Sequence, residues 1–384
     1  MMSTKSRVGV GCYVDPITPL WSLRANIALA RLTGAEDIWF GDHAKSMFPS
    51  SAWGRHLSPF ARFIPTLDAF LDPTVTIAKY ARRRGPRMGT SVTDAVRRTP
   101  ADLARVWMSL HHLTRGRAVL GIGAGEIENT VPFGLALGPS VSRLEDTVTA
   151  IRAAWASSGA PLTHEGRFHE WRHATFALPH LRGTTPEIWV AGQGPRTCGI
   201  AGRHGDGWIF ILNAGIDAWH GAAKHMAEGA RAAGKDPESV TRSAYFAPLL
   251  GRSGSAAVEL SRQPMVQAMM LTLPASAWAA AGAEHPLGTE FKGFSDLDPA
   301  VLEADKLARY GAAITPDLLG RLIPCGTAED VFARLEPLIE QGLNHVIVYS
   351  AAAALKPRLA AGHLYEQRRL IRMLKSATPG PFAP

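Results

Sequence analysis

An α/β fold of the (β/α)8 TIM-barrel type, with long insertions in its βα loops, is what this sequence predicts, on three observations. Short apolar strand patterns alternate with amphipathic helix patterns from end to end. About eight such βα units can be placed, the count of a closed parallel barrel. The polar and acidic residues that suit chemistry follow the strands, and barrels gather their ligand groups at strand C-termini.

Arg7 to Tyr13 alternates as the first strand, and Leu20 to Leu32 is a helix with Leu23, Ile27, Ala30 and Arg31 at its turns. Asp37 to Phe40 is the second strand, and a helix over Thr74 to Arg84 leads to a third at Met88 to Val92. Thr99-Pro100 opens the next helix, because a hydroxyl residue caps the first turn and proline presets its φ. Leu103, Val106, Trp107, Leu110 and Leu113 then give that helix one buried face. Ala118 to Ile122 is a near-continuous apolar run, as expected of a parallel strand covered on both sides. Val141 to Trp155 is helical and Leu162 to Phe176 reads as a hairpin excursion. Ile188 to Ala191, Trp208 to Leu212, Ala244 to Leu250 and His345 to Tyr349 complete the eight strands. One barrel domain is expected over residues 1–376, interrupted by insertions at about 44–72, 160–180 and 271–300, with a frayed Pro-rich tail at 377–384.

Composition removes several function classes. The net charge of +8 could serve nucleic acid, but the densest basic run, Ala81 to Arg87, has no interleaved aromatic residue to stack a base. Its place at a helix end suits the negative dipole terminus instead, so no nucleic-acid partner is expected. A positive field would still draw an anionic cofactor. The longest uncharged apolar run, Val346 to Leu355, is far short of the roughly 20 residues that cross a bilayer, so no integral membrane segment is expected. The first residues enter an alternating strand, unlike a secretion signal, which implies a cytoplasmic location with peripheral membrane association left open. Cys12, Cys198 and Cys325 are three and far apart, so neither a disulfide framework nor a zinc spacing is visible. His164, His169, His173 and His180 fit no single helix face, and no metal is expected.

The most informative stretch runs from Gly89 to Gly134. It reads strand, polar loop, helix, strand and glycine-rich loop. Gly121, Gly123 and Gly125 resemble a dinucleotide loop at first sight, but Glu126 occupies the place of the third glycine. Helical periodicity does not resume until after Pro139, so that reading fails. Glycine alone would explain a bend, yet it leaves Glu126 and Asn129 at the rim without a reason.

The run from GTSV through RRTPADLA to LTRGRAVLGIGAGEIEN resembles the deazaflavin-dependent branch of the bacterial luciferase-like superfamily, whose cofactor is coenzyme F420. IWFGDH, from Ile38 to His43, is similar to the end of that family's second strand, and Glu187 to Ile209 to its phosphate-binding loop and following helix. The wording LTRGRA-LGIG and AEHPLGTEF resembles the mycobacterial phthiodiolone ketoreductases in particular. The resemblance spans nearly the whole chain.

That resemblance implies site residues. His43 would be the proton donor or acceptor at the substrate oxygen, and Glu126 the acid that exchanges a proton beside the deazaflavin ring. Asp42, Asn129, Asp94, Ala124 and Gly125 would hydrogen-bond the ring system. Ser91-Val92 matches the position of a non-proline cis peptide that bulges toward the deazaflavin. Gly192, Gln193 and Gly194, leading to Arg196 and Thr197, would offer bare amides and a helix N-terminus to the cofactor phosphate. The tryptophan that follows the histidine in sugar-phosphate dehydrogenases of this family is missing from Ala44 to Phe48, and the phosphate-binding basic cluster cannot be placed.

Both long insertions rise from the catalytic face and are rich in aromatic residues. Met47, Phe48, Trp53, Phe60, Trp278 and Phe291 could therefore wall an apolar substrate pocket, a local minicore or a dimer interface. The expected enzyme is an F420-dependent ketoreductase acting on a hydrophobic or lipid-like ketone. The alternatives are an FMN-dependent monooxygenase of the same superfamily and a barrel that binds flavin without turnover. A homodimer is expected.

Overall fold

The computed structural model describes residues 7–212, 215–293, 296, 302–350 and 357–382. Eight parallel strands close on themselves: β1 (Gly9–Val14), β2 (Asp37–Phe40), β3 (Arg87–Thr90), β4 (Ala118–Gly123), β5 (Glu187–Ala191), β6 (Gly207–Ile211), β7 (Thr241–Phe246) and β8 (His345–Tyr349). Each pairs with its neighbours in sequence, and β1 pairs with β8 from Gly9↔His345 to Tyr13↔Tyr349. The outer ring contains α1 (Leu20–Leu32), α2 (Pro73–Tyr80), α3 (Pro100–Leu113), α4 (Ser140–Ala156), α5 (Pro195–His204), α6 (Gly215–Ala232), α7 (Ala328–Glu340) and α8 (Pro357–Ser376). The predicted barrel is therefore the observed one. Among the described residues no helix is long and apolar enough to cross a membrane.

Two indoles fill the barrel. Trp39 and Trp189 lie fully buried with ring centroids 4.8 Å apart, packed with Tyr13, Val119, Ile209 and Ile347. Glycine makes room for them: a Cβ on Gly11 would stand 2.5 Å from the Trp39 ring and one on Gly207 2.5 Å from Trp189. Outward-facing strand residues such as Val10, Cys12 and Ile38 pack instead against the helices, as Leu23 and Ile27 of α1 show.

The N-terminal face of the barrel is closed by a buried ionic knot. Arg87 donates to both carboxylate oxygens of Asp37, at 2.7 and 2.9 Å, and reaches Glu187 at 3.1 Å. His345 Nε2 meets Asp37 Oδ2 at 2.7 Å while its Nδ1 meets the Ser243 hydroxyl at 2.8 Å. Arg87, counted above in a helix-end basic run, is thus the first residue of β3, and α2 stops at Tyr80. The tail expected to fray is docked across this face. Val8 donates to the Ala377 carbonyl, Gly380 to that of Ile339 and Phe382 to the Glu238 carboxylate, while Arg242 lies 4.3 Å from the Phe382 ring.

β7 ends at Phe246, earlier than the sequence pattern suggests, because Pro248 cannot continue the ladder. Leu249–Leu250 then pairs with Cys325–Gly326. Between them lie Pro264–Leu271, Ala275–Ala280, Ala304–Gly311 and Pro316–Leu322, helices that build a second apolar core around Val266, Leu271, Trp278 and Leu319. The predicted hairpin is present as Leu162–Glu165 and Glu170–Ala174, pinned to α4 by Asp146, which accepts from Phe168 N at 2.6 Å and faces His164 at 2.9 Å. His169 meets Thr147 and His180 meets the Trp155 carbonyl on the same helix, so three of the four histidines serve as struts.

Candidate active site

β2 hands its chain to Asp42 and His43 at the C-terminal mouth, and β4 hands its own to Glu126 and Asn129. A short helix, Ile127–Thr130, follows Glu126 and turns the remaining side chains inward. His43 Nδ1 lies 3.2 Å from Asn129 Nδ2, 3.7 Å from Glu128 Oε1 and 4.0 Å from Glu126 Oε2. Asn129 joins the group: its amide donates to Glu128 at 3.2 Å and Glu126 at 3.4 Å, and its oxygen accepts from Ala44 N at 2.7 Å. His43, Glu126 and Asn129, named from sequence, thus form one cluster.

Burial raises the Glu126 carboxyl well above its ordinary range, and the nearby Glu128 carboxyl adds to the effect. Glu128 is itself raised by burial, and its Oε2 has no hydrogen-bond partner among the described residues. Two carboxyls forced together in low dielectric favour sharing a proton. Glu128 escaped the sequence reading because no helix was expected between the glycine-rich loop and Pro139, and it is the short helix Ile127–Thr130 that turns this side chain inward. The three side chains His43, Glu126 and Glu128 lie within 4.8 Å of one another, but Asn129 places an amide donor among them. That hydrogen suits an acid–base group rather than a cation.

Asp42 is anchored from the protein side. Thr93 donates to it at 2.6 Å, Arg98 at 3.2 Å, and Arg97 stands 3.3 Å away. Arg98 continues to Asp72 at 2.8 Å, tying the loop after β2 to the loop after β3. Asp94 accepts from the Val96 and Arg97 amides at 2.8 and 2.7 Å and pairs with the Arg97 guanidinium. Both acids therefore brace the site's loops. The Ser91-Val92 peptide is cis. Glycine lets this bulge sit against β4: a Cβ on Gly121 would fall 1.8 Å from the Thr90 carbonyl oxygen. Gly125 holds φ at +103°, beside Ala124, and carries the chain to Glu126.

Gly194 caps α5, with Pro195 at the first turn. Gly192 accepts no side chain, since a Cβ would come within 2.3 Å of Thr197, whereas Gly194 has only Thr197 Oγ1 near, at 3.9 Å. Gln193 Nε2 donates to the Ile211 carbonyl at 2.6 Å and Arg196 to Ser142 at 3.0 Å, while Thr197 bonds back to the Gly194 carbonyl. The outcome is a narrow, side-chain-poor lip at the N-terminus of α5, whose cap makes no side-chain hydrogen bond among the described residues.

A cavity opens beside His43. Met47, Phe48 and Trp53 line it, joined by Phe70, Met265 and Met269. Its polar floor is Asp15 with Tyr13, Tyr245 and Tyr349; Tyr349 donates to Asp15 at 3.2 Å and the rings meet edge to face. Burial raises the Asp15 carboxyl above its usual value. An acid directly after the first strand was the available signal for this floor.

The other three pocket candidates lie elsewhere. Phe60 sits in the short turn Pro59–Arg62 and is not among the lining residues. Trp278 is 1% exposed inside the second core, where its Nε1 donates to the Met270 carbonyl, and Phe291 stacks on His285 beside it. Of the readings left open for the insertions, the minicore describes Trp278 and Phe291. Trp278→Phe, which removes the donor and some volume, is expected to lower stability by about 1–3 kcal/mol. Thermal unfolding measures it, and a changed KM at unchanged stability would contradict this placement.

A family model described as luciferase-like monooxygenase matches residues 4–345. The chain belongs to this luciferase-like family. Among its relatives, the phthiodiolone/phenolphthiodiolone dimycocerosates ketoreductase of Mycobacterium kansasii is 35% identical over 337 residues, 87% of this chain and 92% of the relative. The coenzyme F420 dependent tetrahydromethanopterin reductase from Methanopyrus kandleri superposes with a TM-score of 0.74 at 17% identity, covering 96% of this chain and all of that one. The FMN-bound 3,6-diketocamphane monooxygenase component from Pseudomonas putida superposes at 0.64 with 16% identity, covering 98% and 100%. These luciferase-like barrels share the architecture, and their names describe oxidoreductases with two different cofactors.

Proposed function

We propose that this protein is an F420-dependent ketoreductase that transfers hydride between the deazaflavin and the carbonyl or alcohol carbon of a bulky apolar substrate. The observation that carries the reading is His43 and Glu126 standing together at the rim of an apolar cavity. The identity to a ketoreductase over most of both chains supports the same reaction class.

The residues suit the cofactor. The Gly192–Gly194 lip and the first-turn amides of Arg196 and Thr197 would take the phosphate. The Ser91-Val92 bulge, Ala124, Gly125 and Asn129 would border the ring, with Asp42 and Asp94 fixing the loops that carry them. Bound there in its reduced form, F420 would supply the hydride. The protein's share is the proton. His43 gives one to the oxygen as negative charge grows there, and its Nδ1, held against Asn129 and the carboxyl pair, orients the ring. Glu126 would keep a proton to exchange at the rim because burial, and after it the Glu128 carboxyl, disfavours its charged form. The cavity walls exclude water from the reacting carbon. Among the described lining residues there is no arginine or lysine, which disfavours a phosphorylated sugar.

Titration with F420 tests the reading. Saturable binding is expected, weakened at least about tenfold by Gly194→Glu, which fills the lip and repels a phosphate. Reduced F420 should then be oxidised by hydrophobic ketones. Tight FMN binding with none for F420 would overturn the proposal, as would glucose 6-phosphate oxidation without activity on any apolar carbonyl.

A further inference from the structure

The cavity continues beyond the barrel mouth. Side chains alternate along β1, so Tyr13 points into the barrel with Trp39, whereas Cys12 and Val14 point into the layer between strands and helices. The cavity is lined by both sets. It therefore passes over the C-terminal end of β1 and descends outside the barrel wall, where it meets Leu29, Ala30 and Thr33 of α1 and Gln367 of α8. Strand–helix layers are ordinarily packed to the density of organic crystals, so an opening in this one departs from what folding alone requires.

Its chemistry selects an occupant. The charged side chains among the described lining residues, Asp15 and His43, both follow the C-terminal ends of barrel strands. Deeper in, the polar groups are neutral: Thr33 Oγ1 donates to the Ala30 carbonyl at 2.7 Å and faces Cys12 Sγ at 3.6 Å, while the buried Gln367 Oε1 has no hydrogen-bond partner among the described residues. A phosphate or carboxylate tail would lose its hydration there without a counter-charge. A hydrocarbon chain would lose only water.

We infer that this passage between β1, α1 and α8 is a binding channel for an unbranched hydrocarbon chain of the substrate, whose carbonyl lies at His43. The inference rests on the ketone reading for what happens at the mouth, and on the cavity alone for the channel. It makes chain length a determinant of specificity. Ala30 faces the passage and has the smallest side chain along it, so a larger residue there should act as a stopper.

The test is calorimetric binding of the 2-alkanone series from pentan-2-one to dodecan-2-one to the purified protein. Affinity should rise about fourfold per methylene, the equivalent of about 0.8 kcal/mol, and level off where the channel ends. Ala30→Phe should move the levelling point to shorter chains while pentan-2-one binds as before. Ala30→Leu should move it less and Leu29→Ala should move it to longer chains, so the reading survives if the phenylalanine variant fails to fold. Flat affinity across the series, or one levelling point in all folded variants, overturns the channel. Oxidation of reduced F420 by small ketones together with flat chain-length binding would remove the channel and leave the ketoreductase. Length-dependent binding without any oxidation of reduced F420 would do the reverse.

Discussion

His43→Ala is expected to lower kcat for ketone reduction by about 10²–10⁴-fold while leaving the fold and F420 affinity in place. The oxygen of the substrate would lose its proton donor, and the side chain removed is not a prop of the barrel core. Glu126→Gln should slow turnover as well, by removing the proton that the rim holds. Glu128→Gln separates the two roles. It relieves the like-charge pressure on Glu126, so the pH dependence of turnover assigned to Glu126 should move to lower pH. A raised carboxyl also weakens the fold as pH climbs through its folded value, so this variant should gain stability at alkaline pH and little in acid. Steady-state rates and melting temperatures across pH read all three. Unchanged kcat in His43→Ala and Glu126→Gln together would remove both from the mechanism.

Asp37→Ala should cost about 3–5 kcal/mol of unfolding free energy, because it removes the buried carboxylate that both Arg87 and His345 bond and leaves Glu187 as the hydrogen-bonded acid partner of Arg87. Hydrogen bonds and the charges of His345 and Arg87 outweigh burial and hold the Asp37 carboxyl down to about 2. Its folded value therefore lies below the unfolded one near 3.8, and ionisation stabilises the fold at every pH above that. The contribution is lost as pH falls from about 4 through about 2. Chemical denaturation at neutral pH and again near pH 2 measures it. A deficit that is small at neutral pH, or that grows in acid, would show that the knot is not the anchor described.

The barrel was legible because its signals are local. Strand and helix periods alternate along the chain, and the strand positions from Asp37 and His345 agree with the structure at one or both ends. His43, Glu126 and Asn129 could be placed together because each follows a strand, and parallel strands deliver their C-termini to one face. Partners that depend on side-chain reach were hidden. Nothing in the string says that Arg97 and Arg98 turn back to Asp42, or that Arg87 turns down to Asp37 and Glu187. Aromatic content misled in the insertion after β7, where Trp278 and Phe291 looked like pocket walls. Periodicity cannot distinguish a residue that faces a ligand from one that faces its own loop's core. Asp15 and the three tyrosines were missed for a related reason: they come from three strands far apart in sequence and meet only when the barrel closes.

The second core after β7 has a consequence for how such a protein changes over time. Val266, Leu271, Trp278 and Leu319 pack on one another and belong to a different cluster from the barrel's own layers. Met265 and Met269, on the same segment, reach the cavity. Drift in this lobe therefore alters what the enzyme admits while the eight strands keep their register. A descendant can trade one substrate for another by exchanging a cassette, without reopening the barrel scaffold.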